Sequence, residues 1–225
     1  MKHISGCISK ATLVLFLVLT MLQTAEAQKD TLRTYGPRFG LDLARFAYIL
    51  ADPSEIGAEV SMDFELVKNL YPVVELGFSS ISEDEDFFSY SAGGAYGRLG
   101  FDYNLINLKD RRDHHSFTIG MRYGLAVFSQ EARNIHVPNP YWGDYLRSTY
   151  EKSLQGHWTE IVAGVKAEML PNLFMGWSLR YKILLNPDMD PQVPPYLVPG
   201  YGTGGKETNF GVSYSIFYKI PLIKK

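Results

Sequence analysis

Phe117-Thr118-Ile119-Gly120-Met121-Arg122-Tyr123-Gly124-Leu125-Ala126-Val127-Phe128 alternates with a period of two. Phe117, Ile119, Met121, Tyr123, Leu125 and Val127 share one face, and every one is large and apolar; Thr118, Gly120, Arg122, Gly124, Ala126 and Phe128 share the other. Successive side chains of a strand point to opposite faces, so this period means β-structure with one apolar face. The run is also about as long as the 9–11 residues that a tilted strand needs to cross a bilayer.

The pattern recurs on both sides of this stretch. Ile56, Ala58, Val60, Met62 and Phe64 alternate with Gly57, Glu59, Ser61, Asp63 and Glu65. Similar alternation runs through residues 97–104, 161–169, 175–183 and 210–220, and weaker versions at 38–45 and 73–81 complete a set of eight. The predicted fold class is all-β, an antiparallel up-and-down transmembrane barrel of eight strands over residues 36–222. From a periplasmic N-terminus, the external connections would be 46–54, 82–90, 129–156 and 185–205, and the periplasmic ones 67–71, 105–115 and 170–173. The two longest fall outside and the shortest inside, as barrels of the outer membrane require, while the charged 105–115 turn is longer than that rule expects.

A soluble eight-stranded barrel is the structural competitor, and it would keep its apolar face inside. Here the other face is rich in glycine with isolated charges, as in Gly120-x-Arg122-x-Gly124. Glycine weakens a solvent-facing strand without return, but in a narrow lumen it makes room for a long neighbour. Aromatics near strand ends fit two interfacial girdles: Phe64, Tyr103, Phe117, Trp177 and Tyr218 on the periplasmic side, Phe78, Tyr90 and Phe210 outside.

The N-terminus predicts export. Lys2 and Lys10 form a basic region, residues 11–22 an apolar one, and Ala25-Glu26-Ala27 a small-x-small cleavage site. The apolar run is about 12 residues, short of the roughly 20 a membrane-spanning helix needs. The expected organisation is a cleaved signal peptide over 1–27, a short periplasmic segment over 28–35, the barrel over 36–222 and a tail over 223–225. Cys7, the one cysteine, leaves with the leader, and disulfides, thiolate metal sites and cysteine nucleophiles leave with it. With 46% hydrophobic and 20% charged residues and a net charge of −2, the chain is neither disordered nor basic enough to coat nucleic acid.

Asn209-Phe210-Gly211-Val212-Ser213-Tyr214-Ser215-Ile216 resembles the C-terminal signal by which outer-membrane barrels are recognised for insertion. Gly100-Phe101-Asp102-Tyr103-Asn104 resembles a strand end in uncharacterised families. On these residues the chain resembles the small outer-membrane β-barrel proteins of Bacteroidota. That resemblance implies the fold and the cell outer membrane, and it carries no assigned activity.

The inward face carries the acids Asp42, Glu59, Asp63, Glu65, Glu75, Asp102, Glu160 and Glu168 and the bases Arg38, Arg98, Arg122, Lys166, Arg180, Lys182 and Lys219. Counting from strand ends puts Glu59, Arg98, Arg122 and Arg180 near mid-membrane. An eight-stranded barrel is only wide enough for its own side chains, so these groups are expected to pair across a closed lumen. In the third external connection, Tyr141, Trp142, Tyr145 and Tyr150 are the candidates for contact with glycan or protein; packing of that loop over the barrel mouth is the other reading. The acids 83–86 read as a solvated tip.

His157, Glu160, Ser153 and His136 place acyl-transfer residue types at the external rim, without a recognisable motif. No catalytic residue, metal or cofactor is therefore expected. The partners expected are outer-membrane lipid or lipopolysaccharide, and the role is structural or interactive. An accessory subunit of a larger outer-membrane complex is the alternative, and a lipid A-modifying enzyme the third reading.

Overall fold

The computed structural model describes residues 34–46, 54–85, 88–106, 115–137 and 145–224. The expected leader and most of the expected 28–35 segment lie outside them. Eight strands close into an antiparallel barrel: β1 (Arg38–Asp42), β2 (Glu55–Asp63), β3 (Leu70–Glu85), β4 (Phe88–Asn104), β5 (Ser116–Val137), β6 (Tyr145–Leu170), β7 (Leu173–Leu184) and β8 (Thr208–Lys219). Each pairs with its chain neighbour, and β8 returns to pair with β1. Two short ribbons complete the sheet structure, Thr34–Tyr35 with Ile223–Lys224 and Leu197–Val198 with Gly202–Thr203.

The wall inverts the usual distribution of polarity. Leu76, Leu99, Met121, Leu125 and Leu179 are exposed on the outside, Leu99 to 63%, while Arg98 inside is 2% exposed and Glu160 1%. Burial alternates residue by residue along β5, as the period-two pattern demands. Two tight turns share one device. Asn69 and Asn172 both adopt a φ of 66°, a left-handed conformation that asparagine tolerates better than most residues. In each case the glutamate four residues earlier, Glu65 or Glu168, accepts the asparagine N–H, at 3.2 and 2.8 Å.

The structure corrects the expected boundaries at both ends of the scale. β1 stops at Asp42 instead of reaching Arg45, because the Asp42 carboxylate accepts the Ala44 N–H at 2.9 Å and caps a helical turn over residues 44–46. Most of the expected external connections 82–90 and 129–156 are strand, since β3 and β4 continue to Glu85 and Phe88, and β5 and β6 to Val137 and Tyr145. Strands of 22 and 26 residues are about twice what a bilayer needs. Alternation fades in these extensions because outward positions such as Glu131 and Arg133 no longer carry apolar side chains.

Closure between β8 and β1 is short. The β8–β1 ladder runs only from Ser215 opposite Asp42 to Lys219 opposite Arg38, and the β1–β2 ladder ends at Leu41 opposite Val60. Among the described strands, β2 before Val60 and β8 before Ser215 therefore have one strand-paired edge each.

Candidate functional site: the lumen and its plug

Inward positions of all eight strands bring the charges together in tiers. At the end of the barrel where β1 begins and β8 ends, Asp63 lies between Arg38 Nε and Lys166 Nζ, each at 2.5 Å, with the Arg38 guanidinium over the Tyr71 ring. The middle tier is larger. Arg98 Nη1 lies 2.9 Å from Glu59 and 2.7 Å from Glu75, and its Nε 2.9 Å from Glu160. Arg180 reaches Glu75 at 2.6 Å and Glu160 at 3.3 Å. Arg122 donates to Asp102 at 2.8 Å and approaches Glu75 at 3.5 Å. Glu75 is the hub, one carboxylate meeting three guanidinium groups.

Pairing of this kind is a condition for burying the charges at all, since a lone ion in a low-dielectric interior costs several kcal/mol. It also leaves little free volume. A small cavity of about 40 Å³ lies on the Asp63 side of the tier and one of about 170 Å³ on the opposite side, toward Tyr201.

The connection between β7 and β8 turns inward above this tier and fills that mouth of the barrel. Val198 and Tyr201 are fully buried there in a cluster with Tyr96, Ala126, Phe128, Leu154, Trp158 and Leu184. Gly124 provides the space for the Trp158 ring, which a Cβ at that position would overlap. Trp158 Nε1 donates to Glu160 at 2.6 Å, joining the plug's apolar cluster to the ion tier. Gly200, with a φ of 76°, turns its carbonyl inward to accept from Arg98 Nη2 at 2.8 Å and Lys182 Nζ at 2.7 Å.

A second network fastens the same connection to the projecting strands. Asp190, only 2% exposed, accepts from Tyr150 Oη, Gln130 Nε2 at 2.9 Å, Lys152 Nζ at 3.1 Å and the Gln192 N–H at 3.2 Å. Burial pushes this carboxyl up, but the hydrogen bonds from Tyr150, Lys152 and Gln192 outweigh it and hold the pKa at about 2. A folded-state pKa below the ordinary carboxylate value means that the stabilisation is complete above about pH 4 and disappears as the pH falls toward 2. Hydrogen exchange of residues 189–204 is expected to accelerate over that window in the wild type. Asp190→Ala should remove the dependence and cost about 1–3 kcal/mol through stranded donors.

The four lumen residues singled out from sequence, Glu59, Arg98, Arg122 and Arg180, all lie in the middle tier, together with Glu75 and Glu160, which counting from strand ends does not place at that depth. Strand tilt offsets partners along the barrel axis, so equal distances from strand ends do not give equal depth. The external aromatics fare differently. Tyr150 is buried in β6 and bonded to Asp190, so it offers no loop contact surface. Tyr145 opens β6 opposite Val137, and Tyr141 and Trp142 lie outside the described residues. Tyr90 points inward, its hydroxyl donating to Gln130 and accepting the Tyr196 N–H, and leaves the girdle. His157 and Glu160 lie on opposite faces of β6; His157 meets the outward Tyr123 hydroxyl at 3.2 Å. Among the described residues no three His, Cys, Asp or Glu side chains are grouped to hold a metal ion.

The plug has no period to read, because Pro194-Pro195-Tyr196-Leu197-Val198-Pro199-Gly200-Tyr201 has no regular pattern. Its one signal is apolar content between prolines, at a place where an external loop would be expected to be polar.

A family model described as a domain of unknown function, DUF6048, matches residues 4–225. The chain belongs to the DUF6048 family. No curated protein matches it. Among solved structures it is similar to Ail, the attachment invasion locus protein of Yersinia pestis, with 10% identity over 83% of this chain and 94% of that one and a TM-score of 0.41. It is also similar to CarO2 of Acinetobacter baumannii, with 8% identity over 85% of this chain and 100% of that one and a TM-score of 0.40. Neisserial surface protein A is a third likeness, with 10% identity over 83% of this chain and 96% of that one and a TM-score of 0.38.

Proposed function

We propose that this DUF6048 member is an integral barrel of the outer membrane, with a closed, ion-paired lumen and external strand extensions that serve a structural or interaction role. The observation that carries this reading is the inverted wall. An outer surface of leucine, isoleucine, phenylalanine and methionine has no stable counterpart in water at this extent, whereas a bilayer solvates it at no cost. The Gly100–Asn104 strand end, similar to that of Bacteroidota barrels, supports the same compartment. Lipid or lipopolysaccharide is then the first partner. The separation of His157 from Glu160 by the barrel wall favours a non-enzymatic role.

Leu99→Arg tests the membrane placement. Leu99 faces outward beside the middle tier, and an arginine there is expected to destabilise the barrel in lipid by about 2–4 kcal/mol. Refolding yield into vesicles, read by heat-modifiable migration on gels, should fall. Unchanged insertion would contradict a lipid-facing wall. Planar-bilayer recording tests closure, with no steady current expected from the wild type. A large stable complex on native gels after mild extraction, in place of a monomer, would transfer the reading to an accessory subunit.

A further inference from the structure

β6 outruns its partner on one side only. Toward β5 its ladder continues as far as Tyr145 opposite Val137, whereas toward β7 it ends at Trp158 opposite Leu184. The chain after β7 follows this edge for a short distance further. The His157 carbonyl accepts the Leu185 N–H at 2.9 Å, Asn186 Oδ1 accepts the His157 N–H at 3.0 Å, and Asn186 Nδ2 donates to the Gln155 carbonyl at 2.8 Å. Beyond that the connection leaves the edge and turns inward, where Asp190 is fastened to Tyr150 and Lys152. Backbone groups of a strand face its two neighbours alternately, so the residues that share the direction of His157 and Gln155 are Ser153, Glu151 and Thr149. Their N–H and C=O groups meet no partner strand among the described residues, and all three residues are exposed.

A free edge is a template for another strand, and proteins that must keep one vacant blunt it with proline, a bulge or repeated charges. Thr149-Tyr150-Glu151-Lys152-Ser153 has no proline, and the irregularity in the β6–β7 pairing lies at the far end, between Glu168 and Leu170. The outward side chains of Thr149, Glu151 and Ser153 are polar, so this part of β6 is built for water. Charge chooses between occupants. Glu151 stands directly opposite Glu131 of β5, a like-charge pair of the kind that weakens a sheet. Arg133 is held by Glu131 through hydrogen bonds of 2.6 and 2.9 Å, and Glu151 has no ion pair among the described residues. A strand added at the edge places one residue opposite Glu151 on the same outward face. A second copy of this chain would bring another Glu131–Glu151 pair to the seam, whereas a segment with lysine or arginine at that position neutralises it.

We propose that the edge of β6 at residues 149–153 receives an extended basic segment of a partner protein as an added strand, with a lysine or arginine opposite Glu151. This rests on the interaction role proposed above for the strand extensions, and it fails separately from the membrane placement: insertion of Leu99→Arg judges the placement, and binding in micelles judges the edge. Fluorescence titration of the full barrel in maltoside micelles would use the labelled peptide Thr-Val-Thr-Lys-Thr-Val-Thr. Saturable binding below about 1 mM is expected, and replacing the peptide's lysine by glutamate should weaken it about fivefold to tenfold. N-methylation of the lysine and the two valines, whose N–H groups would face β6, should cost at least about tenfold. Methylation of the two inner threonines, whose N–H groups would face away, should be tolerated. Ser153→Pro removes an edge donor without touching the ladder to β5 and should cost about fivefold, and Glu151→Lys should exchange the preference between the two peptides. Heat-modifiable migration verifies the fold of each variant. No saturable binding overturns the proposal, as does equal loss from the two methylation patterns or equal binding of the glutamate peptide. A concentration-dependent dimer abolished by Glu151→Lys would assign the edge to a second copy of this chain and overturn it too.

Discussion

Glu75→Ala is expected to lower the unfolding free energy of the barrel by about 3–5 kcal/mol, the cost of breaking a buried ion pair from one side. The magnitude follows from the position of Glu75 as hub. Its carboxylate serves Arg98, Arg122 and Arg180 at once, so its removal leaves three buried cations with Glu59, Glu160 and Asp102 as their remaining acids. Glu75→Gln, which keeps an acceptor oxygen but no charge, should fall between the wild type and the alanine variant. Urea titration of lipid-refolded protein reads the effect. The loss should persist at high salt, because buried pairs are screened far less than exposed ones. An unchanged urea midpoint for Glu75→Ala would mean that the tier does not hold the lumen together.

Trp158→Ala should cost a similar amount, about 3–5 kcal/mol, by leaving a cavity in a fully packed site. Its second effect is more specific. Trp158 packs against Tyr201 with ring centroids 5.9 Å apart and bonds Glu160 below, so truncation detaches the plug from the tier. Trypsin cleavage after Lys206, immediately beyond the plug, should accelerate relative to cleavage elsewhere. Ionic current should remain absent, since the Arg98–Glu75–Arg180 tier lies beneath the plug and closes the lumen independently. Steady current from Trp158→Ala would show that the plug, and not the ion tier, is the barrier.

Legibility in the sequence differs from element to element. In β5 the sequence carries both the strand and the orientation of each side chain, because a lipid outside and a packed lumen inside impose opposite demands on alternate residues. In β1 the alternation of 38–45 hides the capping carboxylate of Asp42, whose effect depends on one hydrogen bond. Glu75 is visible as an inward acid, but its role as hub depends on how β3, β4, β5 and β7 are staggered around the barrel. Tyr150 shows the reverse error: an aromatic in an expected loop is, in three dimensions, a buried anchor of Asp190.

The sequence by itself determines the barrel, its two-faced wall and the set of charges that must share the interior, because strand periodicity is local and each residue declares its solvent. Only the tertiary structure decides which charges meet, that residues 189–204 plug the mouth, and that the β8–β1 seam is short. Those features depend on shear, depth and the path of an aperiodic loop, and no local pattern encodes distances between residues on opposite sides of a barrel.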